Sequence, residues 1–231
     1  MRVLLSLVLV LSSISVCRAQ QRSVIRSGNR DFQKRVLSWN ELKFQNIVQQ
    51  NRDYSCGAAA VATVLRYYWG EDVVESDVLA VLALSLRPDA LKDRTENGLS
   101  MADLKVVASR MGYAAEVGTL DTVAKLSDSK IPVVVSLKLD GQDHFVVYRG
   151  IRGNCVFVAD PLRGNYRMGT HTFAQAWNQN AVFVVTPKGK TSSSVSRLDI
   201  RPEEMSSLPM NRQLVRQRVA GASTGSARFG F

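Results

Sequence analysis

The sequence predicts an α+β domain, with a helical layer first and an antiparallel sheet after it. Three observations carry this expectation. Helix signals cluster early: Gly57 to Trp69 is rich in Ala and Leu, free of Pro and followed by Gly70, a helix with a glycine stop. From Ile131 onward the pattern becomes short β-branched runs separated by turn residues, the mark of strands. The order is helices first, then strands, an α+β pattern in which a helical layer packs on an antiparallel sheet.

Lys43 to Val48 reads as a short strand feeding a loop. In the first long helix Val61, Val64, Leu65 and Tyr68 have helical spacing and form its expected buried face. Glu75 to Leu84 is a second helix, and Arg87 to Gly98, polar and bounded by Pro88 and Gly98, reads as a loop. Ser100-Met101-Ala102-Asp103 is a start resembling a capping box, opening a third helix to Arg110 that stops at Gly112. A strand at Tyr113 to Val117 and a helix near Leu120 to Leu126 follow. Ile131–Leu139, His144–Ile151 and Cys155–Ala159 are strands, the last two joined by the tight turn Arg152-Gly153-Asn154. Thr172 to Trp177 is a short helix or turn, and Val182 to Thr186 closes the sheet. No internal repeat is visible.

The two ends differ from this middle. Residues 1–19 read as a secretory signal: Arg2, an apolar stretch from Val3 to Val16, then Cys17-Arg18-Ala19 with small residues at −3 and −1. That stretch is short of the roughly 20 residues needed to span a bilayer, so the expectation is cleavage after Ala19, a periplasmic product and no integral membrane segment afterwards. Residues 20–36 form a basic linker, 37–187 the folded domain and 188–231 a basic Ser- and Gly-rich tail expected to be flexible. The formal net charge of +10 falls to +8 without Arg2 and Arg18, and the tail from Lys188 carries +5 of it, with 8 Lys/Arg against 3 Asp/Glu. The basic balance is thus mostly a property of the tail, which reads as a solvated segment, with contact to an acidic partner or a membrane surface as the sharper alternative. No nucleic-acid motif accompanies it.

Three Cys and two His in 231 residues exclude a dense disulfide scaffold and leave little for metal sites. No metal and no cofactor are expected. Cys56, followed by Gly57-Ala58-Ala59-Ala60 at a helix start, stands where free N–H groups and the helix dipole favour thiolate. The small residues after it would leave room for a substrate backbone, yet a buried core cysteine would fit the same position. His144 opens a strand, and Asp160 ends the paired strand sixteen residues later. In a hairpin turning at Arg152-Gly153-Asn154 both lie at the open end, so a carboxylate could orient the imidazole and the imidazole could serve the thiol. A hydrogen-bonded core histidine is the plainer alternative. Gln50, six residues before Cys56, could donate to an oxyanion or be an ordinary loop residue. His171 lies beside a turn, Trp69, Trp177 and Tyr67 suit the core, and Cys155 suits a buried strand position.

The segment Gln50-Asn51-Arg52-Asp53-Tyr54-Ser55-Cys56-Gly57-Ala58-Ala59-Ala60 resembles the cysteine box of the C39 (bacteriocin-processing) peptidases. His144-Phe145-Val146-Val147-Tyr148 and Ala159-Asp160-Pro161 resemble its histidine and aspartate boxes, and Gly98-Leu99-Ser100 and the pair Phe173 and Trp177 also fit. The likeness spans about Leu42 to Thr186. It implies a papain-like fold with Cys56 as nucleophile, His144 as general base and acid, Asp160 as the orienting carboxylate and Gln50 as oxyanion donor. Unlike members fused to export transporters, the chain has no ATPase phosphate loop, and Ser55 stands where those members often carry an acid. It is more similar to stand-alone exported members of Gram-negative bacteria, such as those of functional-amyloid (Fap) export systems. That likeness implies a thiol endopeptidase acting on a secreted or export-system protein, an amyloid-system component as substrate and an outer-membrane secretion partner. Two other readings remain open on the residues alone. One is a non-catalytic binding or chaperone module with a Cys56–Cys155 disulfide. The other is a papain-like peptidoglycan endopeptidase.

Overall fold

The computed structural model describes residues 22–27, 30–35, 37–191, 193 and 196–205. The signal segment 1–19 and the tail beyond Met205 lie outside the described residues. The chain divides into two units, one up to Leu42 and one from Lys43 onward. In the first, β1 (Arg22–Ser27) and β2 (Arg30–Arg35) pair antiparallel, with Ile25 opposite Phe32, inside the stretch expected as a linker. The short helix α1 (Trp39–Lys43) follows. Its start is a capping box the sequence reading passed over: Ser38 N–H donates to Glu41 Oε2 at 2.8 Å and Glu41 N–H to Ser38 Oγ at 3.2 Å.

The strand expected over Lys43 to Val48 is absent. Helix α1 ends at Lys43 and a turn follows, with Asn46 at a φ of 59°. The second unit then builds α2 (Cys56–Val64), a π-helical turn (Leu65–Trp69) stopped by Gly70 in the left-handed region, and α3 (Glu75–Ser85). Next come α4 (Pro88–Asn97), α5 (Met101–Arg110), β3 (Tyr113–Thr119) and α6 (Val123–Ser127). The remainder is β4 (Val133–Leu139), β5 (Gln142–Arg152), β6 (Cys155–Asp160), β7 (Gly164–Gly169), α7 (Thr170–Ala176), β8 (Trp177–Pro187) and α8 (Pro202–Met205).

The expected loop at Arg87–Gly98 is therefore helix α4. Pro88 is its first-turn residue and Gly98, at φ 87°, its stop, so the residues read as loop punctuation are its caps. None of its residues is buried, which leaves no apolar stripe to reveal it. Its role is a clamp: Arg94 Nε donates to Asp103 Oδ2 at 2.6 Å. Asp103 in turn accepts from the Ser100 N–H at 2.8 Å in the capping box of α5. Burial pushes the Asp103 carboxyl up, but the Ser100 and Arg94 hydrogen bonds outweigh it and hold it below the usual range.

Six strands form one antiparallel sheet in the order β3-β8-β4-β5-β6-β7. Both of its faces are covered, which explains why its strands read as continuous apolar runs rather than alternations. Val134, Phe145, Val147, Ala159 and Phe183 face the helical layer of α2, α3 and α5. Val133, Val135, Leu137, Val146, Tyr148 and Val158 face Phe173 of α7 and Trp177. Helix α2 is buried along its whole length, not on one face. Ala58 to Ala60 admit that enclosure, because a bulkier side chain at any of them would meet a neighbour on every side.

The domain also continues past Pro187, the expected boundary. Leu198 is buried in the helical-side core, and Ile200 Cδ1 would stand 3.3 Å from a Cβ at Gly150. Arg149 on β5 donates to the carbonyls of Leu198 (2.8 Å) and Asp199 (2.7 Å) and forms a two-pronged pair with Glu204 at 2.6 and 2.9 Å. Burial opposes ionisation of Glu204, yet Arg149 and Arg201 draw its carboxyl down to about 2. Residues 196–205 thus form a strap held mainly by Arg149, joined by Asn46 and Arg167, which a tail poor in large apolar residues did not announce.

Candidate active site

Cys56 is the first residue of α2 and 7% exposed. Its placement follows from the residue after it. A Cβ at Gly57 would lie 3.0 Å from Phe145 Cδ2 and 3.2 Å from Leu104 Cδ1. The absent side chain lets α2 press its N-terminus against β5 and α5, which brings the thiol to the strand mouth. This corrects the expectation that Gly57 and Ala58 leave room for substrate: core side chains fill that space, and Ala58 is fully buried.

His144 stands near the open end of the β5–β6 ladder, whose register passes through Val147↔Ala159 to the two-residue turn Gly153–Asn154. Its Nε2 lies 2.7 Å from Asp160 Oδ1. That leaves the other ring nitrogen for Cys56, whose side chain is hydrogen-bonded to the imidazole. Asp160 has no solvent exposure, and its Oδ1 also accepts the N–H groups of Leu162 (2.7 Å) and Arg163 (2.9 Å). Burial raises the Asp160 carboxyl, but the imidazole and these two N–H groups outweigh that and leave it lowered. Burial likewise works against a charged His144, while hydrogen bonds to Asp160 and Cys56 overcome it and raise the imidazole to about 9. The ring is protonated at neutral pH, beside the Cys56 sulfur and a carboxylate.

Gln50 is tied to the same place through its main chain: its N–H donates to the carbonyl of Pro161 at 3.2 Å. Its side-chain Nε2 donates to the carbonyl of Arg52 at 3.1 Å and keeps a second hydrogen for another acceptor. The structure therefore brings Cys56, His144 and Asp160 into one hydrogen-bonded chain and sets Gln50 beside the Asp160 turn. Arg163, unremarked in the sequence, bridges Asp140 Oδ2 at 2.8 Å and stands 3.8 Å from Asp160 Oδ2. His171 is elsewhere, lining an open hollow with Asp121, Thr122 and Trp177.

Cys155 is half-buried, opposite Arg152 at the closed end of the ladder, and both it and Cys56 are free thiols. Eight residue steps along the strand lead from His144 to Arg152, about 26 Å at roughly 3.3 Å each, whereas a disulfide spans about 4.4–6.8 Å between Cα atoms. The alternative of a Cys56–Cys155 bridge is excluded by this fold. Among the described residues no group of three or more His, Cys, Asp or Glu could hold a metal ion. No helix of the described residues is long and apolar enough to cross a membrane.

The arrangement resembles known proteins at two levels. By fold, the chain matches the peptidase domain of Streptococcus ComA, a bi-functional ABC transporter involved in a quorum sensing pathway, at a TM-score of 0.51 and 19% identity. That match covers 62% of this chain and 98% of that one. It also matches a double glycine motif protease from an AMS/PCAT transporter, solved with its leader peptide, at a TM-score of 0.50 and 21% identity over 62% and 91% of the two chains. By sequence, it is 33% identical over 189 residues to a probable functional amyloid protease FapD of Pseudomonas aeruginosa, covering 82% of this chain and 81% of that protein. A Pseudomonas fluorescens protein of the same description is 35% identical over 191 residues, or 81% and 80%. The model of the peptidase C39 family matches residues 45–189, which include all four site residues. The chain belongs to the peptidase C39 family and is a cysteine peptidase.

Proposed function

We propose that Cys56 is the nucleophile, His144 its general base and acid, and Asp160 the carboxylate that orients the imidazole. The observation that carries this reading is the continuous hydrogen-bonded chain from Asp160 through His144 to Cys56. The Cys56 thiolate attacks a peptide carbonyl, a C–S bond forms and the carbonyl π pair moves to oxygen. Gln50 Nε2 and the Cys56 backbone N–H receive that oxyanion. Protonated His144 gives its proton to the leaving amine as the C–N bond breaks. It then takes a proton from water; the hydroxide forms a C–O bond to the acyl carbon, the C–S bond breaks and the thiolate is restored beside protonated His144. Asp160 holds Nε2 throughout, so the other ring nitrogen always faces the sulfur.

The substrate in this reading is a protein of a functional-amyloid export system. What supports it is the match over about four-fifths of both chains to proteins described as probable functional amyloid proteases. The work is done in the periplasm after removal of residues 1–19, and mature protein is expected to begin at Gln20. The test is coexpression with the amyloid-system proteins, followed by mass spectrometry of their termini. Wild type should yield a new, discrete terminus and Cys56→Ala none; equal processing by both would end the reading.

A further inference from the structure

The loop that leads into Cys56 is held by a group outside the triad. Glu75, the first residue of α3, is only 4% exposed. Its carboxylate accepts three hydrogen bonds, all from that loop. Oε1 takes the Asn51 N–H at 3.0 Å and the Ser55 hydroxyl, and Oε2 takes Asn51 Nδ2 at 2.6 Å. The Ser55 oxygen also accepts the Arg52 N–H at 3.2 Å, which closes the loop on itself. A carboxylate this buried is tolerated only when its lone pairs are satisfied. Carboxylate and loop therefore fix one another. The loop's two ends are the residues that matter for an oxyanion: Gln50, tied to Pro161, and Ser55, directly before Cys56.

We propose that Glu75 is a positioning residue of the active site: through Asn51 and Ser55 it sets the placement of Gln50 relative to the Cys56 backbone N–H, and so the geometry of the oxyanion pocket. This rests on the peptidase reading of Cys56 and Gln50. It assigns the carboxylate beside the nucleophile loop to α3, whereas Ser55, the residue before the nucleophile, is neutral. Asn51 is exposed, so it can be changed without opening the core.

The test uses two small reagents on the full chain carrying Cys155→Ser, so that Cys56 is the reacting thiol of the mature chain. Iodoacetamide alkylates a thiolate without forming an oxyanion. p-Nitrophenyl acetate acylates it through one: the C–S bond forms, the C–O bond to nitrophenolate breaks, and nitrophenolate leaves. Asn51→Asp sets a second carboxylate against Glu75. It should slow nitrophenolate release roughly 10- to 100-fold while alkylation changes less than about threefold. Asn51→Asp with Glu75→Gln reverses donor and acceptor in the same pair. The amide introduced on α3 can donate to the carboxylate introduced on the loop, and its oxygen still accepts from the loop N–H and from Ser55. Release should return to within about threefold of wild type. Unchanged release in Asn51→Asp, equal loss of both reactions, or a double variant no better than the single one would overturn the proposal. If Cys56 of otherwise wild-type protein neither alkylates faster than a free model thiol nor releases nitrophenolate, the peptidase reading falls and takes this inference with it.

Discussion

The two ends of the β5–β6 ladder each have a cysteine beside them, and only one has chemistry around it. At the open end Cys56 heads a buried helix and is hydrogen-bonded to an imidazole that a fully buried carboxylate holds. At the closed end Cys155 lies opposite Arg152 and Gly169, next to a two-residue turn. Residue type is the same and the same two strands stand beside each; what differs is the convergence of a third element. Helix α2 reaches the open end because Gly57 lets Phe145 and Leu104 come close. The hydrogen-bonded site is a property of where three chain segments meet.

The contrast can be broken most directly by exchanging which end is damaged. His144→Ala should lower turnover of any accepted substrate by roughly 10³-fold or more, whereas Cys155→Ala should change it less than about twofold. Equal effects would end the distinction. Asp160→Asn is expected to cost about 10²–10⁴-fold in kcat with the fold intact. The new amide can still accept from Leu162 and Arg163, but it no longer stabilises the imidazolium. Circular dichroism beside the kinetics separates the two.

A second pair of expectations concerns stability. Arg149→Ala removes the two-pronged partner of half-buried Glu204, which keeps Arg201, and losing hydrogen bonds to a charged group costs about 1.5–3 kcal/mol, readable as a lower urea midpoint. Gly57→Ala forces a methyl to within 3.0 Å of Phe145, an overpacking of about 1–3 kcal/mol. It should also displace the thiol, so its alkylation rate should fall with its stability; an unchanged rate would mean that α2 is not what sets the sulfur.

The last expectation is the pH dependence. His144 has its folded pKa raised to about 9 from an ordinary 6.5. Its contribution to stability is therefore fully present below about pH 6.5 and lost as pH rises through about 9. Denaturant titrations of wild type and His144→Ala should converge above that range, and convergence on the acid side instead would reverse the assignment.

Much of this was legible in the residues, and the exceptions share a cause. Helix α5 announces itself through Ser100 and Asp103, and the hairpin through Arg152-Gly153-Asn154, because caps and tight turns need particular side chains. Helix α4 and strand β7 were missed because neither presents an apolar pattern: α4 buries nothing, and β7 is an edge strand whose side chains are mostly half-buried. The meeting of His144 and Asp160 could be read from a sixteen-residue hairpin, since strand register is arithmetic. Glu75 could not. Its partners lie twenty and twenty-four residues away across a loop, and a helix-start glutamate ordinarily needs no partner beyond the dipole.

The strap alters the order in which the molecule can be completed. A nascent chain extending only to Pro187 has every strand of the sheet, yet its core lacks Leu198 and its Arg149 has no Glu204 to meet. Closure of the domain must await residues made after the last strand. Until those residues are made, the cysteine is attached to an unfinished scaffold.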